Sequence, residues 1–113
     1  MDLLDVSRER GIAVVAPTMK RLDASVAPAF RQAVLQLVEA GDTRLVLDLA
    51  RLEFLDSSGL GAMVSILKAL GSRGALAVCG VQGAVLSLFQ LTRMDKVFVI
   101  AANRDAAVAR LAG

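Results

Sequence analysis

At 113 residues the chain has the length of one domain, and with 56% hydrophobic and 21% charged residues it can pack a core and does not read as disordered. Its 13 basic and 11 acidic residues are mixed along the sequence for a formal charge of +2, and its aromatics are four Phe with no Tyr or Trp, so neither a basic stripe nor a stacking set supports direct nucleic-acid binding. Histidine is absent and Cys79 is the single cysteine, which removes the commonest general base and metal ligand and rules out an internal disulfide or a cysteine zinc site.

Leu3 to Ser7 and Ile12 to Ala16 read as two strands joined by the polar Arg8-Glu9-Arg10-Gly11, a hairpin connection. Pro17 to Asp23 reads as a loop. A helix follows from about Ser25 to Ala40, with Val26, Phe30, Ala33, Val34, Leu37 and Val38 on one face. Ser25 is the expected cap, Pro28 falls in the first turn where its missing N–H is harmless, and Gly41 is the expected terminator.

Arg44 to Leu49 is the third expected strand, and Leu60, Met63, Val64, Leu67 and Leu70 recur at helical spacing after it. That helix starts at or just before Gly59 and ends near Gly71 to Gly74. Gly74 to Thr92 carries no charge and is long enough to suggest a membrane span. It divides better into a strand (Ala75 to Cys79), a break at Gly80 and Gly83, and an amphipathic helix (Ala84 to Leu91). Gln82 and Gln90 also sit badly in hydrocarbon, so no membrane insertion is expected. Met1 to Asp5 has early acids and no basic region, unlike a signal peptide. Val97 to Ile100 is the fifth strand, and Arg104 to Leu111 a last helix capped by Asn103. Strands alternating with helices imply parallel pairing through right-handed crossovers, with the initial hairpin adding an antiparallel strand. The expectation is one α/β domain over residues 1–113, a mixed sheet of about five strands with about four helices packed against it.

The most informative stretch is Phe54-Leu55-Asp56-Ser57-Ser58-Gly59-Leu60-Gly61, which puts hydroxyls where a strand becomes a helix. Asp56 and Ser57 are good N-cap types, and Ser58 then falls in the first turn. Backbone N–H groups there lack intrahelical partners and the helix dipole favours negative charge, so a serine at such a terminus can carry a phosphate without breaking its helix. On these residues alone, a simple capping role stays open.

Leu47-Asp48-Leu49, Phe54 to Gly61, Pro17 to Asp23 and Leu91 to Phe98 occur in the order and spacing of STAS domains, and the chain resembles the bacterial anti-sigma-factor antagonists over nearly its full length. Lys20 stands where relatives often have glycine. The resemblance implies that Ser58, the second serine of the motif, is phosphorylated by an anti-sigma serine kinase of histidine-kinase-like ATPase fold. It implies that a metal-dependent serine/threonine phosphatase reverses the modification. Ser57 is chemically equivalent and remains open as an acceptor. Asp56 is either the cap or a group orienting the Ser58 hydroxyl; Asp23, near the phosphorylation site in relatives, is either a partner contact or an Asx-type cap; Gly59 completes the candidate set. Asp48 reads as structural, Arg51, Arg93 and Lys96 as solvated charges, and Ser65 and Lys68, on the outer face of the second helix, as candidate partner contacts.

Enzyme readings fare poorly. Asp56 occupies the first glycine position of a Gly-x-Ser-x-Gly elbow around Ser58, no histidine can serve as base, and no Gly-x-x-x-x-Gly-Lys loop is present. The expected protein is a substrate and partner, without cofactor or metal, in the cytoplasm: an anti-sigma-factor antagonist that binds its kinase when unphosphorylated and releases it when phosphorylated. The alternatives are a permanent STAS subunit regulating an ATPase, as in a lipid transporter, or a scaffold in a stress-signalling assembly.

Overall fold

The computed structural model describes residues 2–112; Met1 and Gly113, the outermost residues of the domain expected over 1–113, lie outside them. Strands β1 (Leu4–Glu9) and β2 (Ile12–Pro17) form an antiparallel hairpin in which Glu9 faces Ile12. Its two-residue turn places Arg10 and Gly11 both at positive φ, 53° and 78°, the geometry whose twist matches the strands it joins. β1 therefore runs two residues further than the hydrophobic pattern indicates, because its outer positions are polar and exposed.

β2, β4 (Arg44–Asp48), β6 (Ala75–Cys79) and β7 (Val99–Ile100) pair in parallel, giving a five-stranded sheet in the order β1-β2-β4-β6-β7. Alternation of side chains along each strand feeds two apolar clusters. Ala13, Val15, Leu45, Leu47, Leu76 and Val78 face the larger one, covered by α1 (Ala27–Glu39), α2 (Ser57–Leu70) and α3 (Gly83–Leu91). Ile12, Val14, Val46, Ala77 and Cys79 face the smaller one under α4 (Arg104–Ala112). Among the described residues no buried polar side chain interrupts this core. Nor is any helix among them long and apolar enough to cross a membrane.

Two further strands, β3 (Arg21–Leu22) and β5 (Phe54–Leu55), pair in parallel as a separate two-stranded sheet. The expected loop from Pro17 to Asp23 is thus partly strand. Two residues are too few to show a period, so the sequence carries no signal for it.

α1 begins at Ala27, two residues after the expected cap. Val26 occupies the N-cap position without a side-chain bond, and the Ser25 hydroxyl donates to Asp23 Oδ1 at 2.6 Å. The preceding aspartate draws that hydroxyl away from capping the helix. At the other end the prediction holds: Gly41, at φ 115°, donates to the Val38 carbonyl while Asp42 donates to that of Leu37, a Schellman closure. After α3 the chain makes a short 3₁₀ turn at Met94–Lys96, which takes Val97 out of the expected fifth strand. Phe98 is buried there and meets Phe89 edge to face, with centroids 5.8 Å apart. Asn103 Oδ1 accepts from Ala106 N at 2.8 Å, the cap expected for α4.

Candidate functional site

The small β3–β5 sheet sets the geometry of the Asp56 to Gly61 turn. Lys20 O accepts the amides of Glu53 and Phe54, and Leu22 O accepts that of Asp56 at 3.4 Å, so the segment before α1 is tied to the segment before α2. Lys20 needs no left-handed backbone to do this; among the described non-glycine residues only Arg10 and Arg93 have positive φ. The Arg21 guanidinium lies 4.0 Å from the centre of the Phe54 ring and 3.8 Å from Asp23 Oδ2, covering the outside of the small sheet with charge.

Asp56 is the N-cap of α2. Its backbone is extended, and Oδ1 accepts from Gly59 N at 3.0 Å. Oδ2 accepts from Ala24 N at 3.3 Å, so one carboxylate closes the first turn of α2 and holds the approach to α1. Both oxygens accept from backbone donors, so Asp56 caps α2, and it makes no bond to the Ser58 hydroxyl in this structure.

Ser57 is then the first residue of the helix and Ser58 the second, both exposed. The cap already belongs to Asp56, so Ser57 does not take the capping role that its residue type suggested. Of the four amides that open an α-helix, those of Asp56 and Gly59 are bonded; those of Ser57 and Ser58 have no partner among the described residues. Neither serine hydroxyl bonds to another described residue. The terminus thus offers two free hydroxyls beside two free donors, at the end of a helix dipole that favours negative charge.

Gly59 is buried, and a Cβ there would lie 2.4 Å from Leu22 O and 2.6 Å from Leu55 Cδ1. The motif glycine lets α2 press against both strands of the small sheet. Gly61 is the opposite case: it is exposed, and a Cβ would meet nothing within 4 Å.

Asp23 lies beside this turn. Its Oδ1 accepts from Ser25 N at 3.0 Å as well as from the Ser25 hydroxyl, an Asx-type turn, and those bonds hold its carboxyl below the usual aspartate range. A shallow groove of about 370 Å³ separates α1 from α2 just above, walled by Ala27, Pro28 and Arg31 on one side and by Ser58, Gly61 and Ala62 on the other. Ser65, one turn further along α2, also lines it, whereas Lys68 is simply exposed.

The other charged residues singled out in the sequence lie elsewhere. Asp48 accepts from Ala50 N at 3.1 Å and from Arg104 Nη2 at 2.7 Å, tethering α4 to the end of β4. Arg51 pairs with Asp5 at 2.5 Å. Arg93 and Lys96 are exposed around the 3₁₀ turn. The residue that motif reading passed over is Arg31, whose spacing of four from Ala27 along α1 puts it on the groove face.

The STAS domain family model matches residues 4–107. BtrV of Bordetella bronchiseptica, a candidate anti-sigma factor antagonist, is 34% identical over 73 residues, which are 64% of this chain and 63% of that protein, so the match spans less than two thirds of BtrV. An anti-sigma factor antagonist from Mycobacterium paratuberculosis superposes with a TM-score of 0.89 at 29% identity, over 97% of this chain and 93% of the other. SpoIIAA, the Bacillus cell fate determinant, is similar in fold in its unphosphorylated form (TM-score 0.72, 19% identity, 97% and 98% coverage) and its phosphorylated form (0.70, 20%, 95% and 97%). A single five-stranded mixed sheet with α1, α2 and α3 on one face and α4 on the other, together with a family match spanning nearly the whole sequence, places this chain in the STAS domain family.

Proposed function

We propose that this protein is an anti-sigma-factor antagonist that works as a partner switch controlled at Ser58. In its unphosphorylated form it binds an anti-sigma serine kinase of histidine-kinase-like ATPase fold, freeing the sigma factor or other client. Phosphorylation of Ser58 releases the kinase, and a metal-dependent serine/threonine phosphatase resets the switch. The protein is a substrate here, not a catalyst, and it acts in the cytoplasm.

The observation that carries this reading is the exposed, unbonded Ser58 hydroxyl in the first turn of α2, next to an amide without a partner and in a turn whose cap is already made by Asp56. A kinase can reach such a hydroxyl without opening the helix. The phosphate adds about −1.5 to −2 charge at one surface point. Against a net charge of +2 the overall field changes modestly, so the effect is local. A dianion at the centre of a docking surface must be desolvated to bind and repels an acidic partner. The similarity to proteins named as anti-sigma factor antagonists supports the role, and the existence of a phosphorylated form of SpoIIAA supports the chemistry.

Incubation with the cognate kinase and ATP tests the acceptor. One phosphate per chain is expected, located on Ser58 by peptide mass spectrometry; modification of Ser58→Ala at the wild-type rate would remove Ser58 from the mechanism.

A further inference from the structure

Arg31 is unusual among the cationic side chains. Of the 13 Lys and Arg residues it alone is half-buried, the others being exposed. A partly buried arginine lays its stem along the protein and keeps its charged head at the surface, where a carboxylate or other anion can pair with it. Yet the ion pairs among the described residues join Arg8 to Asp42, Lys20 to Glu53, Arg21 to Asp23, Arg51 to Asp5 and Arg104 to Asp48, and Arg31 is in none of them. Its place is the wall of the groove that Ser58 also lines.

From these facts we propose that Arg31 is an internal receptor for the phosphate on Ser58, reaching across the α1–α2 groove to pair with it. The inference rests on the reading of Ser58 as the modified residue and adds how the modified state is held.

The geometry of the two helices supports the contact. Both lie in crossovers between parallel strands, so they run in the same direction, and the Ala24–Asp56 bond brings their N-terminal ends together. Arg31 lies four residues after Ala27, the first residue of α1 and itself part of the groove wall, about 6 Å along the helix at 1.5 Å per residue. Helical side chains lean toward the N-terminus, so from this position its long side chain can reach back toward the Ser58 end of the groove that both line. The wall between them carries Ala27, Gly61 and Ala62, so no bulky side chain stands in the way. A guanidinium matches phosphate oxygens with paired N–H donors, and this contact supplies the counter-charge Arg31 lacks.

Pairing also offsets the repulsion that the Asp56 carboxylate exerts on a dianion so close by. In the unphosphorylated protein the same guanidinium is left for the partner; in the phosphorylated protein it is withdrawn into the groove. One modification thus changes two features of the docking surface.

The test uses full-length protein with phosphoserine genetically encoded at position 58, so that it does not depend on any kinase, and follows the phosphate by ³¹P NMR through its second ionisation near about pH 6. A neighbouring cation favours the dianion and lowers that pKa. The expected result is a midpoint at least about half a unit below that of the urea-unfolded protein, rising toward the unfolded value in Arg31→Gln and kept low in Arg31→Lys. Lys68→Gln, which removes an equal charge elsewhere on α2, is expected to leave the midpoint in place. Equal midpoints in the wild type and Arg31→Gln, or equal shifts in Arg31→Gln and Lys68→Gln, would overturn the proposal. Failure of a kinase to modify Ser58 would overturn the switch reading and leave this measurement standing.

Discussion

Gly59 and Leu22 approach so closely that a methyl group on Gly59 would sit 2.4 Å from the Leu22 carbonyl oxygen. That oxygen also accepts the Asp56 amide, so it is fixed by the turn that carries the two serines and cannot move aside cheaply. Gly59→Ala is therefore expected to destabilise the fold by about 1–3 kcal/mol despite alanine's better helix propensity. Urea unfolding at neutral pH measures this.

Two residues further along, Gly61 occupies an exposed position within α2 with open space around it, where glycine weakens a helix. Gly61→Ala is expected to stabilise the protein by about 0.5–1 kcal/mol. Folding does not require glycine at this point of the groove wall. If the kinase docks over the groove as proposed, the added methyl stands in its way, and the same variant is expected to bind the kinase more weakly. Calorimetric unfolding together with a binding titration checks both halves, and tighter or unchanged binding would mean that the partner does not approach here.

Asp56→Ala removes the cap of α2 and the bond to Ala24 together, with an expected loss of about 1–2 kcal/mol; Asp56→Asn, which still accepts at the cap, should recover most of it. Denaturant midpoints of the two variants decide this. An Asp56→Ala protein as stable as the wild type but unable to be phosphorylated would favour the orienting role instead.

The Cys79 thiol is 1% exposed beneath α4, and its burial, aided by the nearby charge of Asp48, pushes its pKa up to about 11. The neutral form is the one the fold favours. The stability this contributes is fully present below the unfolded thiol's value of about 8.5 and is lost as pH rises from there toward about 11. Urea midpoints measured from pH 7 upward should fall over that window in the wild type, and the fall should be shallower in Cys79→Ala. A thiol reagent at pH 8 should label Cys79 only as fast as the protein unfolds.

Much of this was legible in the sequence because the informative residues combine a period with a punctuation mark. The Leu60, Met63, Leu67 and Leu70 spacing located α2, and the aspartate and serines in front of it located the terminus, although Asp56 alone turned out to make the cap. Gly41 and Asn103 behaved as their residue types predict. The failures have specific causes. β3 and β5 are two-residue strands held by pairing to each other, and a long-range backbone bond leaves no local pattern. Ser25 was a reasonable cap until Asp23 competed for its hydroxyl. Val97 has the character of a strand residue, but Arg93 adopts φ 61° and starts a 3₁₀ turn, so Val97 is left 50% exposed. Arg31 carried a faint signal in its helical spacing from Ala27 and Pro28. Its half-buried, unpaired state depends on which helix lies opposite, and that is settled only in three dimensions.

On the proposed switch, phosphorylation is expected to act on the surface and leave the core intact. The free amides of Ser57 and Ser58, the helix dipole and Arg31 favour a phosphate at this terminus, and Asp56 opposes it; the separate contributions are each about a kilocalorie or two. The Ser58→Glu variant and the phosphoprotein are therefore expected to melt within a few degrees of the unmodified protein. A fall of about 10 °C, corresponding to a couple of kilocalories in a domain of this size, would mean that the phosphate works by loosening the fold.

The most direct test of the switch is the affinity of the kinase for the unmodified protein and for authentic Ser58 phosphoprotein, measured by calorimetric titration under identical salt. A loss of about 2–5 kcal/mol on phosphorylation, with Ser58→Asp and Ser58→Glu giving a smaller loss in the same direction, is the result the account predicts. Equal affinities for the two forms would contradict it and make this chain a constitutive subunit of whatever it binds.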